Sequence, residues 1–487
     1  MSDSSTSMNG PLRRLAVFVM VLFALLLINS SYTIVVRQND LNAHPQNRRA
    51  RDDEFSRDRG PILVGQEQVA TTEPSQDQYR YQRVYPDAKM YAPITGYYSY
   101  DFGRSGLEYS QNSQLSGTDD SQFVRRMLDI VTGEKPAGAT VETTINPDLQ
   151  QAAYQAMGNR KGAVVALDPK TGAVLAMVST PSYDPNDLAS HDRQKATQAW
   201  SELNADSGSP LSNRAVREVY PPGSVFKLVT AAAALENGHP VDQPVDAPET
   251  LRLPGSQTYL GNQLDCGGTK ITIEQAMKVS CNTAFANLGL EVGSDKLRAQ
   301  AEKFGFGSRP LPELSGVASR FPASPNEAQT ALSAIGQYEV AASPLQMAMV
   351  TAAIANGGDV YEPYVVSKVR AADLSTISTA RPQSRGRAVS PSTAQALQKM
   401  MVATAEGGTA TPARISGRTV GGKTGTAQTS PERPPYAWFT SYALNDKGDP
   451  AIAVTVFVED ADVARDDISG GRLAAPVAKA VMEAAVK

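Results

Sequence analysis

Residues 15–36 read LAVFVMVLFALLLINSSYTIVV, an uncharged apolar run that matches the roughly 20 residues a bilayer core demands. A secretory leader has a shorter apolar region ending at a small-residue cleavage site, whereas here Asn29-Ser30-Ser31-Tyr32 leads into more apolar chain. The pattern therefore predicts an uncleaved transmembrane anchor. Arg13 and Arg14 precede it, which puts residues 1–14 in the cytoplasm and the remainder outside. Arg48, Arg49 and Arg51 follow the span, interleaved with Asp52, Asp53 and Glu54. Residues 37–140 are polar and broken by glycine and proline. Residues 59–64 read as a strand entry, and residues 79–85 alternate aromatic and polar side chains as a half-exposed strand does. Residues 71–78 suit a disordered segment equally well. An N-terminal, mostly β accessory domain without catalytic residues is expected over 37–140.

The pattern changes at residue 141. Residues 141–147 form a β-branched strand and a turn, and 148–157 follow a helical period. Strands over 162–167 and 173–178 are joined by Asp168-Pro169-Lys170-Thr171-Gly172, with proline and glycine where a hairpin needs them. Residues 181–186 read as loop and 194–203 as a short helix. A Pro221-Pro222-Gly223 turn then launches a helix of small and apolar residues to Ala234, closed by Asn237-Gly238 with Pro240 beyond. Helical stretches follow at 273–289, 294–304, 344–356, 390–405 and 473–486, and strands at 419–427, 437–443 and 451–459. Helices in the middle with strands from both ends predict an α+β fold in which early and late strands share one sheet.

At 487 residues the chain holds more than one small domain. Its net charge of -4 gives no electrostatic case for nucleic acid, and no Gly-x-x-x-x-Gly-Lys-Ser/Thr loop cradles a nucleotide. His44, His191 and His239 are not spaced as a metal pair, so neither metal nor cofactor is expected. Cys266 and Cys281 are the only cysteines. Outside the membrane they are free to form a disulfide, worth about 3 kcal/mol of loop entropy, and two buried thiols are the equal alternative.

The chemistry concentrates at Ser224. Three residues are nearly one helical turn, so the Lys227 amine shares its face and is within reach of the hydroxyl. A capping serine and a solvated lysine would look the same. Against that, no other lysine here has a serine three positions before it, and Pro222, Gly223, Val225, Phe226, Leu228 and Val229 surround the pair with apolar chain. A serine needs a base, and a lysine serves once burial lowers its pKa. Two further motifs follow in order. Ser280-x-Asn282 is one of four Ser-x-Asn triplets, the others starting at Ser7, Ser110 and Ser324. Lys423-Thr424-Gly425 lies between Gly421-Gly422 and Thr426, on a strand whose glycines permit close approach to a ligand. The second such triplet, Lys170-Thr171-Gly172, sits at a hairpin tip. It is the ordered set Ser-x-x-Lys, Ser-x-Asn, Lys-Thr-Gly that carries weight.

On these motifs, with the Asp168 hairpin, Pro181-Ser182-Tyr183-Asp184-Pro185-Asn186 and Asn356-Gly357-Gly358, residues 141–487 resemble the transpeptidase domain of class B (monofunctional) penicillin-binding proteins, the actinobacterial peptidoglycan D,D-transpeptidases in particular. The resemblance implies an α+β fold of the penicillin-binding and serine β-lactamase type, with a helical subdomain and an antiparallel sheet flanked by helices. It makes 37–140 a pedestal. It implies that Ser224 attacks a donor peptide and expels its terminal D-alanine, with Lys227 as base, and that an acceptor amine resolves the acyl-enzyme. Ser280 then relays a proton to the leaving amine, and Asn282 binds the substrate amide and orients Lys227. Lys423, Thr424, Gly425 and Thr426 receive the terminal carboxylate, and the backbone N–H groups of Ser224 and Thr426 form the oxyanion hole. Implied partners are peptidoglycan stem peptides, β-lactams, a membrane glycosyltransferase and other elongation or division proteins. A D,D-carboxypeptidase and a membrane-anchored, penicillin-reactive sensor or scaffold stay open alternatives. The span between anchor and residue 141 is too short for a glycosyltransferase domain of the bifunctional class.

Overall fold

The computed structural model describes residues 9–37, 41, 48–119, 137–429, 433–461 and 463–487. The apolar run is one helix, Asn9–Val35, with no buried residue. At about 1.5 Å per residue it is long enough to cross a membrane. It starts ahead of the expected position, so Arg13 and Arg14 lie within it; residues 1–8 of the expected tail are outside the described residues. The chain divides into two compact units, 1–57 with 74–81, and 58–73 with 82–487.

The strands expected near residues 62 and 82 are present as Ile62–Val64 and Tyr81–Val84. Between them Glu67–Pro74 is also a strand, taking in the first part of the stretch that reads equally as disordered. Its polar composition is overridden by tertiary pairing: Val69 and Ala70 are buried, and Ala70 pairs with Ile62. Ile62 pairs in parallel with Val141 of Thr140–Thr143, and Val366–Arg370 and Thr376–Thr379 complete a six-stranded sheet. Two of its strands therefore return from far beyond residue 141. The accessory region also carries short helices, Ala88–Thr95, Gly106–Ser110 and Asn112–Leu115. The first went unread because Pro93 interrupts its pattern.

Beside this sheet Glu108 is buried between two buried arginines. Arg59 Nε donates to one carboxylate oxygen and Arg83 Nε to the other, each at 2.6 Å, and Tyr85 donates its hydroxyl at 3.1 Å. Burial alone would raise the Glu108 carboxyl, but the two guanidiniums outweigh it and hold the group below its ordinary value. Breaking a buried ion cluster strands its remaining charges. Glu108→Gln is therefore expected to destabilise the protein by about 3–5 kcal/mol, read as a shift in chemical denaturation. A change below about 1 kcal/mol would mean that water already solvates these arginines.

The second sheet is antiparallel, in the order Val420–Ala427, Tyr436–Leu444, Pro450–Asp460, Lys161–Leu167, Val174–Thr180. Early and late strands share it, as expected. Side chains alternate between its faces. Val164, Ala166, Val454 and Val456 pack with Leu149 and Val481 from the helices Pro147–Met157 and Ala475–Ala485. Ala163, Val165, Ala453 and Phe457 join the opposite core, with the helices Lys227–Glu236 and Pro344–Ala355. Both of these helices are apolar on nearly every side and correspondingly buried. The sheet ends at Val420–Ala427, whose outer edge has no partner strand in that sheet.

Candidate active site

Ser224 lies in a 3-10 turn, Gly223–Phe226, and the α-helix begins at Lys227. In a 3-10 turn residues i and i+3 eclipse, so Lys227 lines up under Ser224 more closely than an α-helix would allow. Gly223 has φ +55°, and a Cβ there would come within 2.9 Å of the Thr426 carbonyl oxygen. Glycine thus lets the serine turn press on the edge strand. Gly425 answers from the strand side, where a Cβ would lie 3.1 Å from both the Pro222 oxygen and Val225.

The stretch expected as one helical region over 273–289 is in fact two helices, Ile273–Val279 and Asn282–Val292, broken at Ser280. Ser280 has φ +59°. The Cys281 N–H reaches Ala276 O at 2.9 Å and the Ser280 N–H reaches Met277 O at 3.2 Å, closing a Schellman turn with serine where glycine is usual. Cys281 is bonded to Cys266, so of the two alternatives for the cysteines the structure has the disulfide.

Three remote stretches of chain meet at the Ser280 hydroxyl. Lys227 Nζ donates to Ser280 O at 2.8 Å, to Ser280 Oγ at 3.3 Å and to Asn282 Oδ1 at 2.8 Å. Lys423 Nζ donates to the same Ser280 Oγ at 2.8 Å and to Thr424 O at 2.8 Å. Both lysines are fully buried. Burial first, and the Lys423 charge second, hold the Lys227 amine well below the ordinary lysine range. Burial takes Lys423 down to about 7.

Ser224, Lys227, Ser280, Asn282, Lys423, Gly425 and Thr426 are thus carried by elements that meet: the Ser224 turn presses on the strand at Gly425 and Thr426, and Lys227 and Lys423 both reach Ser280. The Lys227 amine is turned onto Ser280 and Asn282, and no hydrogen bond joins it to the Ser224 hydroxyl among the described residues. Thr424 donates its hydroxyl to Thr409 Oγ1 at 2.7 Å. Thr409 is a polar neighbour that no motif flags; the only local signal is Gly407-Gly408 before it, which frees the backbone to turn.

A serine hydroxyl one turn from a buried amine held below its ordinary pKa, on a turn that faces an unpaired strand edge along which a peptide can lie, is the equipment of serine acyl transfer, and that is the class this fold and site define. Comparison with known proteins narrows it. Residues 162–483 match the penicillin binding protein transpeptidase domain, and residues 59–141 match the penicillin binding protein A dimerisation domain. The chain belongs to the penicillin-binding protein family. It is similar to the peptidoglycan D,D-transpeptidase PbpA of Mycolicibacterium smegmatis, with 45% identity over 99% of both chains. Among solved structures it resembles penicillin-binding protein A from M. tuberculosis as a ceftriaxone acyl-enzyme complex, with TM-score 0.86 and 42% identity over 90% of this chain and 100% of that one. The imipenem acyl-enzyme complex gives TM-score 0.85 and 42% identity over 89% of this chain and 100% of that one.

Proposed function

We propose that this protein is a membrane-anchored peptidoglycan D,D-transpeptidase in which Ser224 is the nucleophile, and that β-lactams acylate the same serine. The observation that carries the residue roles is the Ser280 hydroxyl held between two buried amines, 3.3 Å from Lys227 and 2.8 Å from Lys423. Neutral Lys227 takes the Ser224 proton as Oγ attacks the carbonyl of the donor peptide, and the backbone N–H groups of Ser224 and Thr426 receive the charge that develops on oxygen. The two amines occupy both lone pairs of the Ser280 oxygen, which leaves its single O–H free to point away from them. That proton goes to the departing nitrogen of the terminal D-alanine and is replaced from Lys227. An acceptor amine then takes the acyl group by the reverse path. In a β-lactam the departing nitrogen stays tethered to the acyl group, so it blocks that second step.

Lys423, Thr424 and Thr426, with Thr409 behind them, bind the terminal carboxylate, and Gly425 permits the close approach of strand to turn. The N-terminus lies in the cytoplasm and the catalytic unit outside, following Arg13 and Arg14. Residues 37–140, joined by the strands that return at 366–379, form the pedestal, and 141–487 carry the catalytic domain. The protein works beside a membrane glycosyltransferase that supplies the glycan strands. The direct test is covalent labelling by a fluorescent penicillin, with mass spectrometry locating the adduct. Ser224→Ala is expected to abolish labelling; an adduct that persists in this variant, or maps to another residue, overturns the assignment.

A further inference from the structure

Asn282 is gripped by a hairpin that belongs to none of the three motifs. Thr250–Arg252 pairs antiparallel with Tyr259–Gly261, and the last residue of the hairpin together with the next one, Asn262, binds Asn282. Gly261 O accepts from Asn282 Nδ2 at 3.0 Å, which turns Oδ1 of the same amide onto Lys227 Nζ at 2.8 Å. Asn262 Oδ1 accepts from the backbone N–H groups of Asn282 at 2.8 Å and of Thr283 at 3.0 Å. These open the helix Asn282–Val292 and have no partner inside it, so an N-cap side chain ordinarily takes them. Here the N-cap is Cys281, whose sulfur is committed to Cys266 and makes no cap bond. Asn262 caps the helix from a distant stretch of chain instead. Its Nδ2 reaches Pro248 O at 3.2 Å, Glu249 O at 3.3 Å and Thr283 Oγ1 at 3.0 Å, so the cap is itself tied to the chain that enters the hairpin.

We propose that Asn262 is a positioning residue for acylation: it fixes the start of the Asn282 helix against the hairpin, and through the Asn282 amide it sets the orientation of Lys227. This rests on the roles proposed above for Ser224 and Lys227. The hairpin has a separate apolar attachment, in which Leu253 packs with Ala286 and Ala331. Removing the Asn262 amide therefore loosens the geometry around Asn282 without detaching the hairpin.

The test uses the full chain in detergent and stopped-flow acylation by a fluorescent penicillin over a concentration series. This separates the acylation rate constant from the dissociation constant of the preceding complex. Asn262→Ala is expected to lower the rate constant about 20-fold and to leave the dissociation constant within about 3-fold. Made on top of Asn282→Ala, the same substitution is expected to cost less than about 3-fold, because its route to Lys227 is already gone. An unchanged single variant overturns the proposal, and so does an equal loss in both backgrounds. Should Asn262→Ala not fold, Asn262→Leu, which keeps much of the side-chain volume and loses the acceptor for the two N–H groups, enters the same cycle under the same criteria. Ser224→Ala is run in parallel. Labelling that survives it removes the role of Ser224, whereas serine-dependent labelling with a silent or additive Asn262 removes only the positioning role.

Discussion

Lys227→Met is expected to slow acylation of Ser224 by about 10³-fold, roughly 4 kcal/mol of transition-state stabilisation, the range over which a positioned base acts. The pH dependence gives the sharper reading. Wild-type acylation should climb with pH over a range well below the ordinary lysine value, because burial first and the Lys423 charge second hold the Lys227 amine down, and it must be neutral to accept the serine proton. In Lys227→Met that rise disappears. Stability carries the complementary sign. A buried lysine with a depressed pKa binds fewer protons folded than unfolded, so the wild type gains stability as pH rises from the depressed folded-state value toward the ordinary lysine value of about 10.4. Methionine removes the contribution of Lys227. The stability of the variant relative to wild type, followed by denaturant unfolding at each pH, is therefore expected to be higher on the acid side and to shrink as pH rises toward about 10. A variant that acylates within about 10-fold of wild type, with the acidic limb intact, assigns the base to another group.

The nucleophile and its base were legible because they are close in sequence, and a Pro-Pro-Gly turn followed by small residues announces a buried helix start. The central sheet was legible too: strands at both ends of a helical middle have to pair with each other to bury their two faces. What escaped depends on contacts between distant segments. Ser280 sits between two stretches of helical period, so periodicity runs a helix through it although Val279-Ser280-Cys281-Asn282-Thr283 are weak helix formers, whereas the chain enters the left-handed region there and starts again at Asn282. Glu67–Pro74 has polar composition and becomes a strand only because Ile62–Val64 is beside it. Thr409 and Asn262 are single polar residues in loops. Gly407-Gly408 announces a turn before Thr409 but no contact, and only the folded chain brings Thr409 to Thr424 and Asn262 to Asn282.

Ser280→Gly separates the backbone of that residue from its hydroxyl, and it is expected to keep the fold while lowering acylation about 10²-fold, close to 3 kcal/mol. An L-residue in the left-handed region costs about 1 kcal/mol, which glycine relieves. Against this, glycine loses about 0.4–1 kcal/mol more entropy on folding, so the net change in stability should fall within about 1 kcal/mol. Ser280→Ala loses the same hydroxyl and keeps the strained backbone at φ +59°. It should acylate as slowly as the glycine variant. The hydrogen bonds around the lysines change in the same way in both variants: Lys227 keeps its acceptors on Ser280 O and Asn282 Oδ1, and Lys423 keeps Thr424 O, so neither amine is stranded. The loss in rate then reports the missing proton donor rather than a collapsed site. Stopped-flow labelling and denaturant unfolding of the two variants decide the matter. A glycine variant that acylates at the wild-type rate means that the departing nitrogen takes its proton from elsewhere.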